Sequence, residues 1–294
     1  VPADERFWTT DPLSGELRDG YVYGRGALDT KTSGILHLAT FLALHRSGIP
    51  LKRDVLFLAT ADEEAGGFFG AGWLVENRRE IFDGIDFLLN EGGGGGVVGG
   101  RVQFGVEVTQ KVPYWLRLST VATPGHGSSP QVTYAAVELI AALERLRLHE
   151  FDARIIPAVD AHFKGNAADH PEPWRTRFQD IAAAVATPGV LRELQEYAPS
   201  LHTLTRNTCS ITRFEGSGKI NVVSPEVWAE IDCRLLPDQD PDEWLAEMQQ
   251  VFGPEVDIEV LMGFSPAVSS IDTELYRTVQ EVTLETFPGA NFVP

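Results

Sequence analysis

The spacing of apolar residues along this chain changes character near its first third, and the change outlines the fold. Residues 55–59 and 87–89 are short, unbroken apolar runs of the kind that become buried strands. Between them and before them, residues 32–47 and 70–79 carry helical patterns. Up to residue 111 strand-like runs therefore alternate with helices, as in a sheet covered by helices. From Tyr114 the order differs: strand 115–121, helix 134–147, strands 208–214 and 226–235, helix 241–252, strand 256–260. Strand-helix-strand-strand-helix-strand is the split plan of a small ferredoxin-like sandwich. Residues 152–200 are longer than a connection needs and predict a helical excursion, including a helix near 187–197. A helix over 273–286 leads back to the first domain. The fold class is α/β: residues 1–111 and 263–294 form one domain with helices around a mixed sheet, and residues 112–262 form an inserted ferredoxin-like α+β domain.

Composition narrows the function. At 294 residues and 43% hydrophobic, the chain has enough apolar material for two domains. A net charge of −18 argues against nucleic acid and anionic membrane as partners, since phosphate binding needs a basic surface. No apolar run approaches the ~18–20 residues that span a bilayer. Cys209 and Cys233 sit in strand-like segments and are expected as buried free thiols, not as a disulfide framework. Two glycine-rich stretches do not read as phosphate cradles. Residues 92–96 precede no helix, and Gly216-Ser217-Gly218-Lys219 lacks the other marks of a P-loop.

The candidate chemistry is carboxylate chemistry. Asp62-Glu63-Glu64 follows the run 55–59 directly and is followed by Ala65-Gly66-Gly67. Three consecutive acids at the end of a buried strand are costly unless a cation compensates them. A divalent metal, with one carboxylate kept free as a base, is one reading; acids on a solvated turn is the other. Asp29 arrives in the loop Gly24-Arg25-Gly26-Ala27-Leu28-Asp29-Thr30-Lys31, just before a helical pattern, and Glu91 in Asn90-Glu91-Gly92. Ligands of open α/β sheets bind at the carboxyl ends of strands. Asp29, Glu64 and Glu91 there, with Glu63 free beside them, describe a two-metal hydrolytic centre.

In five ordered blocks the chain resembles the metallopeptidase and amidohydrolase family of aminoacylase, carboxypeptidase G, acetylornithine deacetylase and succinyl-diaminopimelate desuccinylase. The blocks are DGYVYGRGALDTK, ATADEEAGGFFGA, LLNEGG, TPGHGSSP and GSGKINVVSPEVWAEIDCRLLP. Thr30 departs from the Met common in the family. The resemblance implies two zinc ions bridged by Asp29, with Glu64 and Glu91 completing the two sites and Glu63 as general base. It implies that the inserted domain is a lid through which the protein forms a homodimer, and that His126 reaches the partner's active site to stabilise an oxyanion. Asn221 and Arg234 match lid residues that contact substrate, although Asn221 also follows a glycine turn and Arg234 also sits on a strand. Asp62 either orients a neighbour or caps the following turn.

The family takes its two imidazole ligands from a His-x-Asp motif before the Val1-Pro2-Ala3-Asp4 segment and from a histidine near its C-terminus. The chain is thus expected to be an internal piece of a longer protein. His37 and His45 lie eight apart on a helix, and His149, His162, His170 and His202 have no ligand spacing, so none replaces them. The expected activity is hydrolysis of an amide or peptide bond next to a free carboxylate, in a small peptide or N-acyl amino acid. The alternative is a non-catalytic, dimerising or small-molecule-binding product of the same fold. The exposed lid edge that would pair two copies is expected at strand 115–121 or a helix beside it.

Overall fold

A computed structural model describes residues 2–98 and 100–294, so Val1 of the opening segment lies outside the described residues. The chain separates into two compact units, Val1–Glu91 and Gly92–Pro294.

In the first unit, β1 (Glu16–Arg18) and β2 (Tyr21–Tyr23) form a hairpin. Its two-residue turn, Asp19-Gly20, has positive φ at both positions, which a type I′ turn demands. Helix α1 (Thr32–Ser47) ends at Gly48 in the left-handed conformation, and α2 (Ala71–Asn77) follows the acidic loop. The expected strands at 55–59 and 87–89 are absent: both segments are irregular and belong to no ladder among the described residues. A strand exists by pairing, and these runs find no partner backbone. Among the described residues of this unit Pro12 is the one buried apolar side chain; Leu28 is 92% and Phe69 85% exposed.

The second unit contains β3 (Gly94–Val98), β4 (Arg101–Gly105), β5 (Val112–Val121), β6 (Gly125–His126) and α3 (Ala135–Leu148). Helices α4 (Pro157–Asn166), α5 (Trp174–Arg177), α6 (Ile181–Val185), α7 (Val190–Tyr197) and α8 (Pro199–Thr203) come next. Strands β7 (Thr208–Glu215), β8 (Val222–Val223) and β9 (Glu226–Leu235), helix α9 (Pro241–Phe252), β10 (Asp257–Gly263), α10 (Glu274–Thr286) and β11 (Asn291–Val293) complete it.

Four of these strands make one antiparallel sheet in the order β10-β5-β9-β7, with α3 and α9 on one face. The period-2 pattern explains why. Leu116 and Leu118 of β5 and Ala229, Ile231 and Leu235 of β9 point into a core with Leu139, Leu143, Trp244, Met248 and Phe252. The alternate positions form the open face, where Arg117 and Arg213 flank the Trp228 ring and both bind Glu230. The βαββαβ order expected from the sequence is thus present. Strand 115–121 is not an edge, however: β5 is paired on both sides, by β10 and β9, and the edges are β10 and β7.

The cysteine expectation is also corrected. Cys209 and Cys233 are direct partners in the β7–β9 ladder, 4.0 Å apart at Cα, and form a disulfide. Sequence alone places each on a strand; only the register sets them opposite.

The expected excursion carries its own core. Phe163, Phe178, Ile181 and Leu194 are fully buried, and the Phe178 ring meets Phe163 at 4.8 Å and Trp174 at 5.6 Å. Phe178→Ala should destabilise this unit by about 3–5 kcal/mol, the usual cost of removing a buried aromatic ring. Denaturant unfolding of the purified variant checks it, and a loss under 1 kcal/mol would show that the helices do not depend on this core. Strand β3 pairs antiparallel and β11 parallel with β4, so residues 94–98 form a strand where a phosphate loop would need a helix.

Candidate active site

Three acidic segments of the first unit meet. Asp29 lies in the irregular turn Ala27–Lys31 that opens α1, and its peptide bond to Thr30 is cis. Lys31 anchors this turn by donating from Nζ to the Arg25 carbonyl at 2.8 Å. Glu63 and Glu64 occupy a short helical turn, Glu63–Ala65, between Asp62 and Gly66, both in the left-handed region. The Asp62 carboxylate accepts from the Phe69 backbone N–H at 3.0 Å, and its carbonyl accepts from Gly67 at 2.7 Å. Asp62 therefore ties the loop to Phe69, while its side chain makes no capping hydrogen bond to the turn Glu63–Ala65. Gly70 closes it: a Cβ there would lie 1.9 Å from the Ala61 carbonyl oxygen, so no side chain fits.

Glu91 reports how close these segments are. Its carboxyl is raised above the ordinary glutamate range by desolvation, by the Asp29 charge and a hydrogen bond to Asp29, and by the Glu63 charge; a hydrogen bond from Thr30 opposes the shift. The structure thus brings Asp29, Glu63 and Glu91 together. The Glu64 carboxylate is not among the groups acting on Glu91, and among the described residues no three His, Cys, Asp or Glu side chains gather as a formed metal site. The acids are exposed, so the premise of buried acids does not hold; their cost is mutual repulsion.

The donor set suits a divalent cation in one respect: the hard oxygens of Asp29, Glu63 and Glu91 crowd together, which raises the Glu91 carboxyl. Asp29 and Glu91, with Glu64 on the adjacent turn, are the residues that would hold it.

In the second unit His126 and Asn221 are neighbours. Strand β6 pairs with β8, His126 opposite Val222, and the Gly127 N–H donates to the Asn221 carbonyl at 2.9 Å. The Ser128 N–H donates to His126 Nδ1 at 3.2 Å, and the Ser128 hydroxyl lies 2.8 Å from the same nitrogen. With Nδ1 accepting, the proton of the neutral ring sits on Nε2. The turn thus presents an exposed N–H donor, the tautomer that oxyanion stabilisation needs. Arg234 lies on the open sheet face, and its guanidinium binds Asp232 through Nε (2.7 Å) and Nη2 (3.1 Å).

The family model described as peptidase family M20/M25/M40 matches residues 1–294. The chain belongs to this family. One M20-family relative, the N-fatty-acyl-amino acid synthase/hydrolase PM20D1 of Xenopus tropicalis, is 32% identical over 307 residues, covering 100% of this chain and 58% of that protein. The probable carboxypeptidase S-like 2 of Dictyostelium discoideum is 27% identical and covers 98% of this chain and 56% of that protein. The chain therefore spans less than three fifths of the length of these relatives. Among solved structures, the M20 metallo-carboxypeptidase Sso-CP2 of Sulfolobus solfataricus aligns with a TM-score of 0.58 at 20% identity, over 98% of this chain and 68% of that one. That likeness establishes the M20 fold, a mixed α/β architecture.

Lys111 escaped the reading of the sequence. It has no motif around it, and only the sheet register shows what it faces. The one available signal was parity: Lys111 falls on the same side of β5 as Pro113, Trp115 and Arg117.

Proposed function

We propose that the protein is a metal-dependent hydrolase cleaving an amide or peptide bond next to a free carboxylate, with an N-acyl amino acid or small peptide as substrate. The observation that carries this reading is the crowding of Asp29, Glu63 and Glu91, which lifts the Glu91 carboxyl. Family membership supports it, and the names of the relatives supply the substrate class.

In this reading Asp29, Glu64 and Glu91 hold two zinc ions, which when bound polarise the scissile carbonyl and make water acidic. Glu63 takes the proton from the attacking water and delivers it to the leaving amine. His126 of the partner subunit donates from Nε2 to the developing oxyanion, while Asn221 and Arg234 orient the substrate. Residues 112–262 act as the lid and dimerisation domain, and residues 1–111 with 263–294 as the catalytic domain. The dimer contact is placed on an edge strand, β7 or β10, or on α3, whose Ile140 is exposed.

Zinc titration with elemental analysis, followed by assay on a panel of N-acyl amino acids and dipeptides, tests the proposal. Two zinc ions and release of free amine are expected of the full-length protein, and weak or absent zinc of this chain alone. Neither zinc uptake nor hydrolysis would leave the non-catalytic alternative.

A further inference from the structure

Helix α4 and strand β11 pack against each other although the residues that join them lie 125 positions apart in the chain. Gly165 permits the approach: a Cβ there would lie 2.5 Å from Val293 Cγ1. At this junction His162 is half-buried and Asn166 is buried. Asn166 Nδ2 donates to His162 Nε2 at 3.2 Å, and Asn166 Oδ1 accepts from Asn291 Nδ2 at 3.0 Å. Asn291 Nδ2 also donates to the Gly165 carbonyl at 3.1 Å, so both of its hydrogens are used. His162 Nδ1 lies 2.9 Å from the Pro294 carbonyl oxygen, which can only accept. These polarities leave one protonation state for the ring: Nδ1 carries the hydrogen and Nε2 is bare.

A proton on Nε2 would set donor against donor. Asn166 can turn its amide over only by presenting its NH2 to Asn291, which moves the conflict one residue along. The carboxylates around the ring are engaged elsewhere. Asp169 binds Arg101 Nη2 at 3.0 Å, Asp160 binds Lys164 at 2.6 Å, and Glu107, which shares a cavity wall with His162, accepts from the Gly93 N–H at 3.0 Å. The cationic neighbours oppose a further charge. Lys111 borders the same cavity, and its pKa is lowered to about 7, by burial first and then by Arg234, with Asp232 opposing. His170, whose Nδ1 lies 2.9 Å from the Tyr197 hydroxyl, is lowered by burial, with Asp169 opposing and His162 adding to the shift. A histidine lowered in the fold contributes stability above its unfolded pKa and loses it as pH falls through the folded one. Acid therefore acts on His170 in the same direction as on the hydrogen bonds of His162.

We propose that His162, Asn166 and Asn291 form a pH-sensitive latch, which holds the helical excursion to strand β11 while His162 is neutral and opens when His162 is protonated. Histidine is the side chain whose charge changes between about pH 5 and 8, so the latch is closed at neutral pH and released by mild acid. It needs no metal and no substrate, and it stands apart from the hydrolase reading.

Hydrogen exchange of the intact protein, expressed as protection factors so that the pH dependence of the intrinsic rate is removed, reads the latch at residues 291–293. Protection there should fall about tenfold between about pH 7.5 and 5.5, the scale of one lost hydrogen bond. His162→Gln offers one donor and one acceptor but gains no charge, so its protection should stay level over the same range. Lys111 and His170 are intact in that variant, which separates their titration from that of His162. Asn166→Asp supplies a carboxylate that accepts from an imidazolium and from Asn291 alike, so it should keep its protection at the acid end; it also covers the case that the Gln variant does not fold. Level protection in the wild type overturns the inference. So does a fall in either variant that matches the wild-type fall.

Discussion

Glu63→Gln should leave zinc content and thermal stability unchanged and lower turnover by about 10²–10⁴-fold, the usual scale for a lost general base. The reason lies in how differently Asp29 and Glu63 act on Glu91. Glu91 is hydrogen-bonded to Asp29, whereas Glu63 acts on Glu91 only through its charge. In the proposed function Glu91 and Asp29 hold the cation and Glu63, beside them, moves the proton. The amide of Gln matches Glu in shape and keeps the Glu63–Ala65 turn, but it cannot accept and release a proton. Asp29→Asn is the contrasting variant: it should lose zinc as well as turnover, because it removes charge from the ligand set itself. Elemental analysis beside steady-state kinetics distinguishes the two. A Gln variant with near-normal turnover at full zinc occupancy would remove Glu63 from the role of base.

The sequence made the four-stranded sandwich legible because β5 and β9 alternate cleanly. In β9, Val227, Ala229, Ile231, Cys233 and Leu235 are buried and their neighbours are not, so the core face could be read residue by residue. Helix α9 was legible from Asp240-Pro241, where the Asp240 carboxylate accepts from the N–H groups of Asp242 and Glu243. Runs such as 55–59 are different. An unbroken apolar run says that a segment wants burial but not what it pairs with, and Val55 and Leu56 remain about half exposed. The same limit hid the disulfide and misplaced the edge strand. Both depend on register and strand order, which are properties of pairs of segments. For the candidate site, the sequence pointed to Asp29, Glu64 and Glu91 with Glu63 beside them; the groups that act on Glu91 in the structure are Asp29, Glu63 and Thr30.

His126→Ala should reduce turnover by at least 10²–10³-fold, the cost of an oxyanion donor, while zinc binding stays intact. The geometry of the turn makes the imidazole hard to replace. The Ser128 backbone N–H donates to Nδ1, which leaves Nε2 as the nitrogen free to donate. Ala removes that donor and leaves the β6–β8 pairing, which is backbone to backbone. If the imidazole serves the partner subunit's site, the loss should be recoverable in trans. Mixed with Glu63→Gln under conditions that exchange subunits, His126→Ala forms heterodimers in which one site has both an intact base and an intact donor. With random pairing, half the dimers are mixed and each has one working site of two, so activity should return to roughly a quarter of wild type. Neither variant alone can reach that level. A verified heterodimer that stays inactive would place His126 in its own chain's site, or outside the chemistry altogether.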